Sequence, residues 1–211
     1  FIDPGIAALD QSTYQLALDK VGQEPNITVL RPAEEAGIDP SRPGSGARTA
    51  SWGRGLSVTL LASNKDAPDD NNGSIVLRLD YLGVRILLAA DSEAPLDAQL
   101  AALGSDTQAQ VLRSGHHGGV DTSTQTLLDA VFPMNVAGLR YAIVSAGQRD
   151  GLPRPDTLER LLSAVGPARL YRTDRDDEGK DQVAAPGDDH VLLRVTPEGE
   201  LTVCYAFSDR G

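Results

Sequence analysis

The sequence predicts an α/β domain whose antiparallel strands come first and whose helix–strand crossovers follow. Three observations predict it. Strand-length apolar runs fill the stretch from Leu56 to Ala90, helical and strand patterns alternate from Pro95 onward, and two of the strongest strands run straight into polar residues. Those are Val84 to Ala90, followed by Asp91-Ser92-Glu93, and Ala109 to Leu112, followed closely by Gly115-His116-His117-Gly118-Gly119. Strand-end loops are where such folds carry chemistry, because the scaffold fixes a side chain's direction while glycine lets a ligand approach.

Element by element, Ser12 to Val21 reads as a helix, and Pro32 to Gly55, rich in Pro, Gly, Ser and Ala, reads as an irregular connection. Leu56 to Ala62 is a strand, Asp66 to Asn72 a polar turn, and Ser74 to Tyr81 with Val84 to Ala90 a hairpin across Leu82-Gly83. Leu96 to Leu103 is a helix, Gln110 to Arg113 a strand, Ser123 to Val131 a helix, and Tyr141 to Ser145 a strand. Asp156 to Val165 is a helix behind Pro155, and Arg169 to Arg172 a strand. The acidic stretch Asp174 to Asp189 reads as a loop, and Val191 to Val195 with Leu201 to Tyr205 as a closing hairpin. The expected organisation is one domain, with residues 1–55 an irregular opening and 56–206 the core.

Composition removes several classes of function. A net charge of −11 argues against broad electrostatic binding of nucleic acid, so phosphate chemistry here needs a bound cation or a local basic patch. The one cysteine, Cys204, excludes an internal disulfide and a cysteine-rich zinc site, and its alternating surroundings make it a strand residue. No apolar run approaches the roughly 18 residues of a membrane helix. The opening Phe1-Ile2-Asp3 has neither an initiator methionine nor a signal pattern and reads as a fragment or processed product.

Each candidate site residue has a plainer reading beside the functional one. Asp91 offers a hard oxygen ligand for a divalent cation, or caps a helix. His116 and His117 place two imidazoles on one turn, so that one meets a metal or phosphate while the other orients it or moves a proton; the plainer reading is an exposed pair. Ser123, within Thr122-Ser123-Thr124, caps a helix or helps to hold an anion. Arg149 and Arg154 suit a phosphodiester, or are surface arginines. His190 begins a strand outside the site.

Five segments in order resemble the metallo-β-lactamase superfamily, and specifically the hydrolase domain of ComEC-type DNA-uptake proteins. Asn71-Asn72-Gly73-Ser74 resembles its Asn-rich turn, and Leu87-Leu88-Ala89-Ala90-Asp91-Ser92-Glu93 its "LLTGDxE". Leu112 to Gly119 with Thr122-Ser123 resembles "LKVGHHGSxxST", Ser145 to Pro155 resembles "SVGxNxYGHP", and Tyr171 to Asp174 matches "YRTD". The resemblance implies a four-layer αββα sandwich, incomplete at its N-terminus here, with a di-metal centre of divalent zinc or manganese at one edge of the two sheets that hydrolyses phosphodiesters of DNA.

Carried over, it makes Asp91 a metal ligand and His116 and His117 the ligand and the phosphate or proton-transfer partner, either way round; His116 is set beside Asp91 as metal ligand and both histidines as catalytic, while Ser123, Arg149 and Arg154 are candidate substrate contacts on their own chemistry. It also implies a bacterial protein of the cell envelope or a secreted one. Two departures stand out. The family's HxHxDH is absent from this chain, and Arg154 replaces the histidine of "YGHP", where an arginine cannot ligate a metal. If the whole protein carries HxHxDH before Phe1, Arg154 still argues for a single or altered metal centre; if it does not, the resemblance is to a metal-free relative, and in this chain the metal is weakly bound or absent. Two alternatives stay open: a catalytically degenerate binding module of the same fold, and a small-molecule hydrolase acting on a lactone, thioester or phosphonate.

Overall fold

Nearly continuous apolar runs in four neighbouring strands give the sheet at the centre of this molecule two buried faces. The computed structural model describes residues 11–25, 48–51, 53–63, 67, 69–135, 138–147, 151–174 and 190–206. In chain order these form α1 (Gln11–Gln23), β1 (Arg48–Ser51), β2 (Leu56–Ala62), β3 (Val76–Tyr81), β4 (Val84–Leu88), α2 (Ala94–Ala102) and β5 (Val111–Arg113). There follow α3 (Gln125–Val131), β6 (Tyr141–Val144), α4 (Pro155–Val165), β7 (Leu170–Arg172), β8 (Val191–Val195) and β9 (Leu201–Tyr205).

The class is mixed α/β, as expected. Strands β1 to β7 make one seven-stranded sheet in sequence order, antiparallel from β1 to β4 and parallel from β4 to β7. One correction concerns β1, which lies inside the stretch read as irregular. Its sequence, Arg-Thr-Ala-Ser, has no apolar alternation, and only pairing with Ser57 to Leu60 makes it a strand. Another concerns α2, which begins at Ala94 with Pro95 in its first turn, where a missing N–H costs nothing. Most of the acidic stretch from Asp174 to Asp189 lies outside the described residues, as does Arg149.

Alternation sorts the strands into two cores. Leu87, Leu112, Ala142, Val144 and Leu170 face the helices, where Leu96 and Leu100 of α2, Leu127, Leu128 and Val131 of α3, and Leu161 and Val165 of α4 pack on them. Burying one such leucine contributes about 1.5–3 kcal/mol. On the other face Ile86, Val111, Tyr141, Ile143 and Tyr171 meet Val191, Leu193, Leu201 and Val203 of the β8–β9 hairpin. The Tyr171 hydroxyl donates to Val203 O at 2.6 Å, and Arg172 N donates to the Tyr205 hydroxyl at 3.0 Å, tying the hairpin down.

This arrangement positions the site. Because β4, β5, β6 and β7 are parallel neighbours, the loops leaving the first three emerge side by side at one end of the sheet, where α/β sheets take their ligands. They carry Asp91 to Glu93, Gly115 to Thr124, and, among the described residues, Ser145 to Gly147 and Gly151 to Arg154.

Candidate functional site

The turn between β4 and α2 is shaped from three sides. Ala90 adopts a left-handed φ of 51°, and its carbonyl accepts His116 N at 3.0 Å. The same carbonyl accepts the Arg113 guanidinium, while Asp91 N donates to Ser74 Oγ at 3.2 Å. Upstream, Asn72 N–H and the Asn72 amide close an Asx turn on Asp69, and the backbone bond holds that carboxyl below its ordinary range. Asn72 Oδ1 then accepts Leu96 N at 3.1 Å, which seats the turn against α2 and brings Asn71 to the site.

The two histidines leave β5 in left-handed backbone, His116 at φ 39° and His117 at φ 54°. Each such residue costs on the order of 1–2 kcal/mol, and strain of this kind gathers at functional sites. The result is that the two rings part company, with centroids 6.3 Å apart and planes at 63°.

His116 Nδ1 lies 2.9 Å from Glu93 Oε1, which also accepts Asn71 Nδ2 at 2.8 Å. A carboxylate only accepts, so His116 Nδ1 carries the proton; the Asn71 amide nitrogen, 3.4 Å from that ring nitrogen, is a donor too and bonds to Glu93. In that tautomer Nε2 carries the lone pair. His117 Nδ1 donates to Ser145 O at 2.6 Å, leaving its Nε2 4.0 Å from Asp91 Oδ1. Arg113 reaches the same carboxylate oxygen at 3.9 Å. Burial draws the Arg113 pKa down, with Asp91 opposing.

A cleft of about 280 Å³ opens over this arrangement, lined by Glu93, His116, Gly119, Val120, Asp121, Leu152 and Arg154. A larger hollow of about 440 Å³ lies at the other end of the sheet, around Gln110 and Arg140, and shares no lining residue with this cleft. Its Arg85 is bonded to Asp80, and the smaller cleft holds the histidine and carboxylate chemistry.

The structure thus gathers Asp91, His116, His117 and Arg154 at one end of the sheet. Ser123 is a correction. It is fully buried, and its hydroxyl meets that of Ser114 at 2.8 Å, bracing the histidine loop rather than facing the cleft. The helix cap is Thr124, whose Oγ1 accepts Leu127 N. His190 precedes β8 and does not line the cleft.

Three participants were not singled out from the sequence. Glu93 and Asn71 stand 23 and 45 positions from His116, too far for a local pattern to pair them. Arg113 reads as the end of a strand, yet the register that pairs it with Leu88 sets it beside the Asp91 turn.

Beneath the cleft, Asp97 is fully buried and its pKa is pushed up to about 6, because burial disfavours the charge more than bonds from Thr124 and Ser92 favour it. A raised folded-state pKa means that its stabilising contribution is whole below about pH 4 and lost as pH rises through about 6. Asp97→Asn, always neutral, is expected to gain on the wild type by up to about 3 kcal/mol between about pH 4 and about pH 7.5. Urea unfolding at the two pH values checks this; a difference that stays constant would mean that Asp97 does not titrate in that range.

Fold and site define an α/β protein with a histidine–carboxylate centre at the carboxyl ends of parallel strands. Over 117 residues the chain is 32% identical to the competence protein ComA of Neisseria gonorrhoeae, a match covering 54% of this chain and 16% of ComA. The chain is therefore related over about half its length to a competence protein, of which it spans a minor part. No family model matches it.

Proposed function

We propose that this chain is a hydrolase domain of the metallo-β-lactamase type, cleaving phosphodiesters of DNA in the setting of DNA uptake. The observation that carries the reading is the pairing of two histidines with two carboxylates, Glu93 with His116 and Asp91 with His117, at adjoining strand ends. The relation to a competence protein supports the setting.

The donor set fits a divalent cation in part. A ligating histidine commonly donates its other nitrogen to a carbonyl, as His117 does to Ser145 O, and its free Nε2 faces the Asp91 oxygen. Asp91 with His117, in place of the His116 expected from the sequence, would hold zinc or manganese, and the cation would supply Lewis-acid polarisation of phosphate oxygens. Two donors are fewer than the three protein ligands typical of catalytic zinc, and no group of three surrounds a point among the described residues. The reading therefore takes the remaining ligands from elsewhere in the protein.

His116, oriented by Glu93, takes or gives a proton at Nε2 on the cleft side, with Glu93 stabilising the imidazolium. Arg154, at the N-cap of α4 and on the cleft wall, binds a phosphate oxygen. The test is hydrolysis of bis(p-nitrophenyl) phosphate and single-stranded DNA with added Mn²⁺ or Zn²⁺. Asp91→Ala is expected to lower the metal-stimulated rate by at least about 10²-fold without altering the fold. No metal-stimulated hydrolysis by the wild type, with retained binding of DNA, would establish a degenerate binding module instead. The shortage of donors and the presence of Arg113 beside Asp91 favour that second reading.

A further inference from the structure

Asp97 stands in the first turn of α2 and does not line the cleft. A fully buried carboxylate costs stability unless its oxygens are matched by donors, and here each oxygen serves a different loop. Oδ1 accepts Ser92 Oγ at 2.9 Å, and Oδ2 accepts Thr124 N at 2.8 Å. Ser92 lies between Asp91 and Glu93. Thr124 adjoins Ser123, whose hydroxyl holds Ser114 at the start of the histidine turn.

The two loops also touch directly at Gly115, where a Cβ would lie 2.5 Å from Ser92 O. An apolar side chain would fill the space beneath the loops without burying a charge, but it would leave the Ser92 hydroxyl and the Thr124 N–H unpaired. We propose that Asp97 is a positioning residue, a carboxylate bridge that sets the Asp91–Glu93 turn against the His116–His117 turn so that each histidine meets its own carboxylate. The inference rests on the reading of those four residues as one site.

The experiment uses the full chain with ¹⁵N-labelled histidine. Imidazole spectra and Zn²⁺ titration by calorimetry are compared among the wild type, Asp97→Asn, Asp97→Ala and Ser92→Ala. Asparagine can keep both contacts, accepting from Thr124 N through its oxygen and donating to the Ser92 hydroxyl through its nitrogen. Asp97→Asn is expected to keep the His116 Nδ1 signal and to bind Zn²⁺ within about twofold of the wild type. Asp97→Ala and Ser92→Ala are expected to lose that signal and to bind about tenfold more weakly, with unchanged far-UV circular dichroism.

Alanine variants that fold and keep both wild-type readouts would overturn the proposal, as would an asparagine variant that falls as far as alanine. If Asp97→Ala does not fold, Ser92→Ala, which deletes a single hydroxyl, decides the matter. If the wild type takes up no Zn²⁺, the metal-holding reading fails, while the imidazole spectra still test the role of Asp97.

Discussion

Replacing His116 with alanine is expected to lower phosphodiester hydrolysis by about 10²–10⁴-fold while leaving metal affinity within about twofold, and His117→Ala is expected to do the reverse in order of cause. The difference follows from the partners. His116 gives its Nδ1 proton to Glu93 and keeps Nε2 for the cleft, whereas His117 is anchored on a backbone carbonyl with Nε2 toward Asp91. His117→Ala should therefore lose metal first, by about 10-fold or more, and turnover as a consequence. Glu93→Gln, which keeps an acceptor for the His116 proton but not the charge that stabilises imidazolium, should fall between the wild type and His116→Ala. Rates at saturating Mn²⁺, set beside calorimetric affinities, separate the two roles. If His116→Ala loses the metal and His117→Ala keeps it, the roles are exchanged.

Gly115→Ala is expected to destabilise the protein by about 3 kcal/mol and to disable both histidines together. The new methyl would stand 2.5 Å from Ser92 O and 2.8 Å from Ser92 Oγ, inside contact distance of backbone that Asp97 and the β4 turn hold in place. Something must move, and what moves is the spacing between the two loops. For a chain of this length the loss corresponds to a fall of roughly 6–12 °C in Tm. Gly147→Ala is the control, since nothing lies within 4 Å of its added carbon. Thermal unfolding of the two variants checks the prediction; equal Tm values would show that the loops yield freely at Gly115.

Much of the architecture is legible in the sequence. β2, β8 and β9 coincide with their predicted bounds, and the other core strands end within two residues of theirs, because apolar runs of strand length punctuated by Gly, Pro and Asn leave few alternatives. β1 was not legible, since a short polar strand borrows its conformation from the neighbour it pairs with. The site was legible as places rather than as partnerships. Asp91, His116 and His117 stand out as polar residues at the ends of apolar runs, but Ser123 looks the same from sequence and proves to be buried bracing.

What the sequence determined by itself, then, is the order of the elements and the residues delivered to the ends of β4 and β5, because both follow from local periodicity and local turn chemistry. Tertiary structure alone decided which histidine meets which carboxylate. Neighbours in the chain would be expected to share surroundings, yet left-handed backbone at both positions turns the two rings apart, one toward Glu93 and Asn71, the other toward Ser145 and Asp91. Glu93, Ser145 and Asn71 arrive from loops 23 to 45 residues away in the chain, and only the pairing of the strands brings them within reach.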